Sequence, residues 1–156
     1  MDFQEVSPLQ AGWLELLERY EWQWFVTLTF REMVHPEAAD KLFRVWISKL
    51  NRHLYGVKWY KKQDQGVYWV RALELQRRGV IHFHALLADV KNLNHSASRY
   101  YWKNQWYQLG GIAHIEEPAS VEHCSRYVSK YVAKEGELEC SPNLRSYARI
   151  ADITGR

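Results

Sequence analysis

The sequence has little of what marks a secreted, membrane-spanning or unstructured protein. Its 2 cysteines are too few for a disulfide framework, which favours a reducing cytosol. No apolar run approaches the roughly 18 residues of a membrane span, and the first residues lack the basic-then-apolar pattern of a signal peptide. Glycine (8) and proline (4) are scarce and 47% of the residues are hydrophobic, so disorder is not expected. These absences predict a folded cytoplasmic protein.

The chain also lacks features that would divide it into parts. Its 156 residues suit a single domain, and no linker, low-complexity tract or internal repeat interrupts them, so we expect one domain over 1–156. No Gly-x4-Gly-Lys-Ser/Thr loop is present, which argues against a fused P-loop helicase. Residues 137–156 show no clear period and are predicted to form an irregular tail, or the boundary of a longer protein.

Aromatic residues are abundant, with 8 Trp, 10 Tyr and 5 Phe. Lys and Arg number 21 against 18 Asp and Glu, and a formal net charge of +3 permits a nucleic-acid partner without demanding one. Trp24, Trp46 and Trp69 fall on predicted apolar faces, so we interpret them as packing residues.

Hydrophobic periodicity predicts four strands and four helices. The strands are expected at 22–30, 67–76, 80–88 and 112–116, and the helices at 8–20, 36–55, 96–109 and 120–135. Ser120 is the expected N-cap of the last helix. After the first helix the order is βαββαβ, which is typical of an antiparallel sheet with helices packed on it. The predicted fold class is therefore α+β, with a ferredoxin-like or RRM-like sheet and an additional N-terminal helix.

A candidate metal site lies on the hairpin of the second and third predicted strands. His82 and His84 are two residues apart on a strand and therefore share a face. If residues 77–79 form a three-residue loop, Glu74 pairs directly with His82. Two imidazoles and one carboxylate then converge with coordination positions left open, as in catalytic metal sites. The alternative is that both histidines are solvated on a half-exposed strand, and a one-residue change in loop length would turn Glu74 to the other face.

A second candidate cluster lies on the last predicted helix. Tyr127 and Tyr131 are four residues apart and share a face, and Lys130 and Lys134 follow the same spacing. A tyrosine hydroxyl is a poor nucleophile, so attack on a phosphodiester needs a polarised substrate and nearby positive charge, which the lysines could supply. The alternative is ordinary amphipathic packing, with the lysine side chains reaching solvent.

Two basic segments are candidates for DNA contact. Binding of single-stranded nucleic acid combines cationic and aromatic side chains. Both kinds alternate in Lys58, Trp59, Tyr60, Lys61 and Lys62. Arg77 and Arg78, at the predicted hairpin tip, are either phosphate contacts or solvated turn residues.

Three segments, in this order, resemble the HUH endonucleases and, among them, the initiators of rolling-circle replication. Residues 25–30 resemble the first motif of that family, 82–84 its histidine–hydrophobe–histidine motif, and 127–134 its tyrosine motif. Two tyrosines four residues apart, each followed three residues later by lysine, are similar to the two-tyrosine initiators of small single-stranded DNA phages and related plasmids. Glu74 stands where this family often carries a third metal ligand.

The resemblance implies a metal-dependent enzyme that nicks and rejoins single-stranded DNA. A divalent cation held by Glu74, His82 and His84 would polarise the scissile phosphate, and one tyrosine would become joined to the 5′ phosphate. Tyr127 is expected to attack first, and Tyr131 to accept the strand later. The family points to Mg²⁺ or Mn²⁺; imidazole ligands suit Mg²⁺ poorly, whereas Mn²⁺ satisfies both arguments.

The partner that the resemblance implies is single-stranded DNA at a replication origin, and it also allows a host replication helicase. The expected location is the cytoplasm of a bacterium or of a phage-infected cell. A two-tyrosine HUH transposase is an alternative with the same chemistry. A non-catalytic single-stranded DNA-binding module on the same fold is an alternative of another class. Relaxases fit poorly, because their tyrosine precedes the histidine motif.

Overall fold

The computed structural model shows a five-stranded antiparallel sheet with helices on both faces. The structure describes residues 8–62, 66–118, 120, 123, 126, 127, 130, 131 and 138–144. Its helices are α1 (Pro8–Glu18), α2 (Pro36–Tyr55) and α3 (Ser96–Leu109). Its strands are β1 (Trp22–Thr29), β2 (Tyr68–Leu75), β3 (Ile81–Ala88), β4 (Ala113–Glu116) and β5 (Leu138–Cys140). Short 3-10 helices occur at Trp59–Lys61 and Lys91–Leu93. No helix in these described ranges is both long and apolar enough to span a membrane.

The strand order is β4-β1-β3-β2-β5, and neighbouring strands are antiparallel. The first four strands have the arrangement expected of a ferredoxin-like sheet, which confirms the predicted α+β class. β5 corrects the expectation of an irregular tail over 137–156, because Cys140 pairs with Val70 and Leu138 with Ala72 at the edge of the sheet. A strand of three residues is too short to show a period in the sequence.

Local signals fix the elements that carry the sheet. α2 begins after His35, whose Nδ1 accepts a hydrogen bond from the backbone N–H of Glu37 at 3.2 Å. The β2–β3 hairpin closes with the N–H of Gln76 donating to the carbonyl of Val80 at 2.9 Å. Gly79 completes the loop with φ +74°, a left-handed conformation that favours glycine. The three-residue loop expected from the sequence is therefore confirmed.

Alternation along the strands gives the sheet two chemically different faces. The first, which we call the α2 face, is covered by α2 and α3 and holds the larger apolar cluster. Its fully buried members include Trp24, Val26, Leu28, Phe43, Trp46, Phe83 and Trp106. The second, which we call the tyrosine face, holds a smaller cluster in which Leu17 of α1 meets Val70, Ala72, Leu86, Tyr127 and Tyr131. The predicted packing roles of Trp24, Trp46 and Trp69 are confirmed, since all three are buried on the α2 face.

The predicted last helix is described at five positions, which we call the tyrosine helix. All five are helical: His123, Arg126, Tyr127, Lys130 and Tyr131. Ser120 acts as the expected N-cap, because its Oγ accepts a hydrogen bond from the N–H of His123 at 3.4 Å. Spacings of three and four put these residues on one side of the helix, with Tyr127 and Tyr131 buried against the tyrosine face. Lys134 lies outside the described residues.

Candidate active site

The register of the sheet brings the predicted hairpin residues onto the tyrosine face. Glu74 of β2 pairs with His82 of β3, as the sequence predicts. On the other side of β3, Thr27 of β1 pairs with His84 and Thr29 pairs with His82. Two adjacent rows of polar side chains therefore cross the centre of the sheet on one face.

The carboxylate of Glu74 is the point where several of these groups meet. Its Oε2 accepts a hydrogen bond from the hydroxyl of Tyr131 at 3.0 Å. The same oxygen lies 3.3 Å from Nε2 of His84 and 3.5 Å from Nζ of Lys130. Its other oxygen, Oε1, accepts a hydrogen bond from Nε2 of Gln76 at 3.3 Å. The structure thus joins residues from the hairpin and from the tyrosine helix, two segments that sequence reasoning treated separately.

Electrostatics assign a protonation state to each member of this cluster. Burial opposes the charge on Glu74, but the hydrogen bond from Tyr131 and the charge of Lys130 outweigh it, so the pKa of Glu74 lies below its ordinary value. Burial, together with that same hydrogen bond and the Glu74 charge, raises the pKa of Tyr131 well above its ordinary value. Burial also lowers the pKa of His84 against the attraction of Glu74. At neutral pH, Glu74 is therefore ionised, Tyr131 protonated and His84 neutral.

Glu74 and His84 fit a divalent cation, and the third predicted ligand is not in place. Nε2 of His84 is buried without a hydrogen bond to any described residue, and it faces the Glu74 oxygen at 3.3 Å. Neutral imidazole and ionised carboxylate are the ligand forms of these side chains. Within the described part of the chain, no group of three or more His, Cys, Asp or Glu side chains is close enough to hold a metal. His82, opposite Glu74 in the register, is the residue that could complete the set.

The two tyrosines occupy different environments. Tyr127 is 4% exposed, and its hydroxyl donates to the backbone carbonyl of His84 at 2.7 Å. The ring of Tyr131 stacks on the imidazole of His84, with centroids 5.4 Å apart and planes at 24°, while its hydroxyl reaches Glu74. Tyr127 is therefore bound to the backbone of β3, whereas Tyr131 contacts the acidic and imidazole groups.

An open cleft of about 430 Å³ lies beside this cluster. Its lining is formed by Phe25, Thr27, His84, His123, Arg126, Tyr127, Lys130 and Tyr131. Sequence reasoning did not assign Phe25, Thr27 or Arg126 to the site. Strand alternation was the available signal for the first two, since it separates them from the apolar residues of β1. His123 was interpreted as a surface or packing residue, and its ring does pack on Phe25 with centroids 4.5 Å apart.

The other predicted DNA contacts lie away from Glu74. Trp59, Tyr60 and Lys62 line a different cavity, which also contains Trp69 of the α2 face. Lys58 and Lys61 are exposed beside them. Arg77 and Arg78 are exposed at the tip of the β2–β3 hairpin, just beyond the Glu74–His82 pair.

Fold and cleft together define a ferredoxin-like α+β protein whose sheet presents a carboxylate and histidines to a tyrosine-bearing helix. The family model for the replication-associated protein ORF2 matches residues 23–136, well over half of the chain. The chain therefore belongs to this family of replication-associated proteins. No curated protein and no solved structure matches it. Family membership indicates a role in DNA replication and its initiation.

Proposed function

We propose that this chain is a metal-dependent single-stranded DNA endonuclease and strand transferase that initiates rolling-circle replication. The observation that carries the proposal is the meeting of the Tyr131 hydroxyl and His84 Nε2 at one oxygen of Glu74, at 3.0 and 3.3 Å. A nucleophile, an acid and an imidazole at one point on the rim of an open cleft suit phosphodiester chemistry. Membership of a replication-associated family supports DNA as the substrate.

The described cleft supplies the charge and shape that a DNA strand needs. Arg126 is exposed and Lys130 is half exposed, and both line the cleft on successive turns of the tyrosine helix. Their charges would attract the phosphate backbone. The ring of Phe25 forms part of the same wall and offers a surface on which a base can stack.

The proposed step exchanges one phosphate ester for another. The phenolic oxygen of Tyr131 forms a bond to phosphorus while the bond from phosphorus to the 3′ oxygen breaks. The phenol loses its proton and the departing 3′ oxygen takes one up, so the products are a 5′-phosphotyrosine and a free 3′ hydroxyl. A divalent cation, Mn²⁺ or Mg²⁺, held by Glu74, His82 and His84, would withdraw charge from the scissile phosphate when bound.

Lys130 assists by its position relative to the phenol. Its Nζ lies 5.1 Å from the centroid of the Tyr131 ring and 3.5 Å from Glu74 Oε2. A fixed cation at this range stabilises the negative charge that develops on the phenolic oxygen. The ionised carboxylate of Glu74 acts in the opposite direction and raises the pKa of Tyr131, so neutralisation of that carboxylate would favour the attack.

We propose that Tyr131 attacks first and that Tyr127 accepts the strand later, the reverse of the order expected from the sequence. Tyr131 already contacts Glu74, whereas the Tyr127 hydroxyl must first give up its 2.7 Å hydrogen bond to the His84 carbonyl. Giving up a buried hydrogen bond without a replacement costs about 1–3 kcal/mol.

The test uses pools of single-stranded oligonucleotides with Mn²⁺, analysed on denaturing gels. A 3′-labelled pool reports the covalent protein–DNA adduct, and a 5′-labelled pool reports a released fragment that a polymerase can extend. We expect an adduct with the parent protein and none in EDTA, a loss of at least about 100-fold in Tyr131→Phe, and a retained first cleavage in Tyr127→Phe. Tyr107→Phe is the matched control, since Tyr107 is an exposed tyrosine on α3.

Three results would contradict the proposal. An adduct that survives in the Tyr127→Phe, Tyr131→Phe double variant would remove the tyrosine mechanism. An adduct of equal yield in EDTA would remove the metal. Binding of the pools by the parent protein without any adduct would favour the non-catalytic DNA-binding module instead.

A further inference from the structure

A second cavity, of about 480 Å³, opens on the α2 face, away from the catalytic cleft. It lies between α2, the 3-10 helix Trp59–Lys61 and residues 141–143. The side chains that the argument uses are Arg44, Trp59, Tyr60, Lys62, Trp69 and Asn143. None of the residues that line the cleft beside Glu74 contributes to it. Its volume lies within the range of roughly 300–1,000 Å³ that is usual for small-molecule sites.

The aromatic rings give the cavity a rigid floor and an accessible rim. Trp69 is 3% exposed, and its backbone N–H donates to Oγ of Ser141 at 3.1 Å. Its ring packs against Phe43 with centroids 4.9 Å apart, so the floor is held from below. At the rim, the rings of Trp59 and Tyr60 stand at 90° with centroids 6.2 Å apart, and Tyr60 is 65% exposed. A planar ligand can stack on the rim without displacing packed residues.

The charge of the cavity favours an anionic ligand. Its described lining contains Arg44 and Lys62 and no acidic residue. Lys58 and Lys61 are exposed on the same 3-10 helix and add to the positive potential. The Nε of Arg44 is bonded to Asp40 at 2.9 Å, so its charge is partly balanced and the lysines are the principal cations. A ligand with both an aromatic ring and a negative charge meets these conditions, and a nucleotide is such a ligand.

The polar groups of the wall are used to build the cavity. Asn143 donates from Nδ2 to the carbonyl of Gly66 at 3.2 Å and accepts at Oδ1 from the N–H of Leu144 at 3.0 Å. Asn51 accepts from the N–H of Val67 at 2.8 Å. Since these amide groups already bond the backbone, recognition would rest on stacking and charge, which are tolerant of base identity.

We propose that this cavity binds one nucleotide of a single-stranded DNA, with the base stacked on the rings of Tyr60 and Trp59 and the phosphate beside Lys62. The choice of DNA rests on the proposed function, whereas the stacking and charge do not. The cavity would hold the strand at a point that is separate from the nick, on the opposite face of the sheet. It therefore adds affinity that does not depend on the metal or on either tyrosine of the cleft.

The experiment measures binding without catalysis. Fluorescence anisotropy of labelled oligo-dT and oligo-dA is recorded with the full chain in EDTA, so that cleavage does not contribute. We expect Tyr60→Ala to raise Kd at least about fivefold, the lower end of the effect of one stacked base. Tyr100→Ala, on α3 and 68% exposed, is the matched control and should leave Kd within about twofold of the parent value.

Salt dependence and crosslinking identify the two parts of the contact. Lys62→Ala should reduce the slope of log Kd against log salt by about 0.7, the value for one phosphate of a single strand, whereas Lys49→Ala, exposed on α2, should not. Photocrosslinking with 5-iododeoxyuridine should join the oligonucleotide to Trp59 or Tyr60, as mapped by mass spectrometry. Circular dichroism checks that the variants keep the fold.

The outcomes separate this inference from the proposed function. Crosslinks to Trp59 or Tyr60 in a protein that never forms an adduct would support the cavity and contradict the nuclease. A nuclease whose Tyr60→Ala variant binds as tightly as Tyr100→Ala, with no crosslink at either ring, would overturn the cavity assignment alone. An RNA oligonucleotide that binds through Tyr60 more tightly than DNA would overturn the choice of DNA.

Discussion

The two faces of the sheet are made by the same strands, yet they differ in kind. In β3, Phe83 is fully buried on the α2 face, while its neighbour His84 carries an imidazole whose Nε2 lies beside a carboxylate on the tyrosine face. The α2 face is filled by aromatic and aliphatic side chains under two helices. The tyrosine face combines a smaller apolar cluster with an open polar cleft. Stability and chemistry are thus separated by the two-residue period of the strand.

One charged side chain breaks the apolar character of the α2 face. Arg71 is 6% exposed, and its guanidinium carbon lies 4.3 Å from the centroid of the Phe83 ring and 4.8 Å from that of Phe43. Its Nη1 donates to Oδ1 of Asp40 at 2.7 Å. The charge is therefore paired and covered by aromatic rings, which makes its burial tolerable.

The largest expected effect comes from removing a ring of the α2 face. Phe83→Ala should lower the free energy of unfolding by about 3–5 kcal/mol, because it opens a cavity among Phe30, Phe43 and Arg71. His82→Ala, the preceding residue on the tyrosine face, should cost about 1 kcal/mol or less. Urea denaturation of both variants measures the difference. Equal losses would show that the two faces contribute alike to stability.

The next effect concerns the buried ion pair. Asp40→Asn leaves the Arg71 guanidinium buried without its charged partner, and since Asp40 is itself about one-third exposed, we expect a loss of about 1–3 kcal/mol rather than the full cost of breaking a buried pair. Arg71→Met removes the charge and keeps much of the volume, so it should cost less than Asp40→Asn. Urea denaturation of the two variants decides this, and the reverse order would mean that the pair itself stabilises the fold.

The strand pattern was sufficient to predict most of the fold and the core of the site. Alternation and the turn at Gly79 predicted that Glu74 would face His82, and the register confirms it. The number of residues in the loop decides the face, so this inference needs only local information.

What the sequence did not predict depends on contacts between distant segments. The bond from Tyr131 to Glu74 joins residues 57 positions apart, and helical spacing makes Tyr127 and Tyr131 look equivalent. They differ because the docking of the helix on the sheet places one hydroxyl at a backbone carbonyl and the other at a carboxylate. The cavity at Tyr60 likewise needs Trp69 and Asn143, which no pattern within residues 58–62 specifies.

A smaller effect is expected from acid. The charges and hydrogen bonds of Arg44 and Arg71 outweigh burial and hold the pKa of Asp40 below its ordinary value in the folded protein. Its contribution to stability is therefore present above the unfolded pKa of about 3.9 and is lost as pH falls through the lower folded value. The stability gap between the parent and Asp40→Asn should narrow below about pH 4. Urea midpoints at pH 7, 5 and 3 measure it, and a constant gap would contradict the assignment.

The smallest effect tests how the tyrosine face orients its imidazole. Oγ1 of Thr27 lies 3.4 Å from Nδ1 of His84, a long contact on the side of the ring away from Glu74. Thr27→Val keeps the shape and removes the hydroxyl, so the free energy of unfolding should change by about 0.5 kcal/mol or less. If His84 is a metal ligand, calorimetry should show Mn²⁺ affinity falling by up to about tenfold, the lower end for a residue that orients a ligand. Thr27→Ser retains the hydroxyl and should restore the affinity. Unchanged affinity in Thr27→Val would leave the stacked ring of Tyr131, at 5.4 Å, as the group that orients His84, and would tie nucleophile and ligand into a single unit.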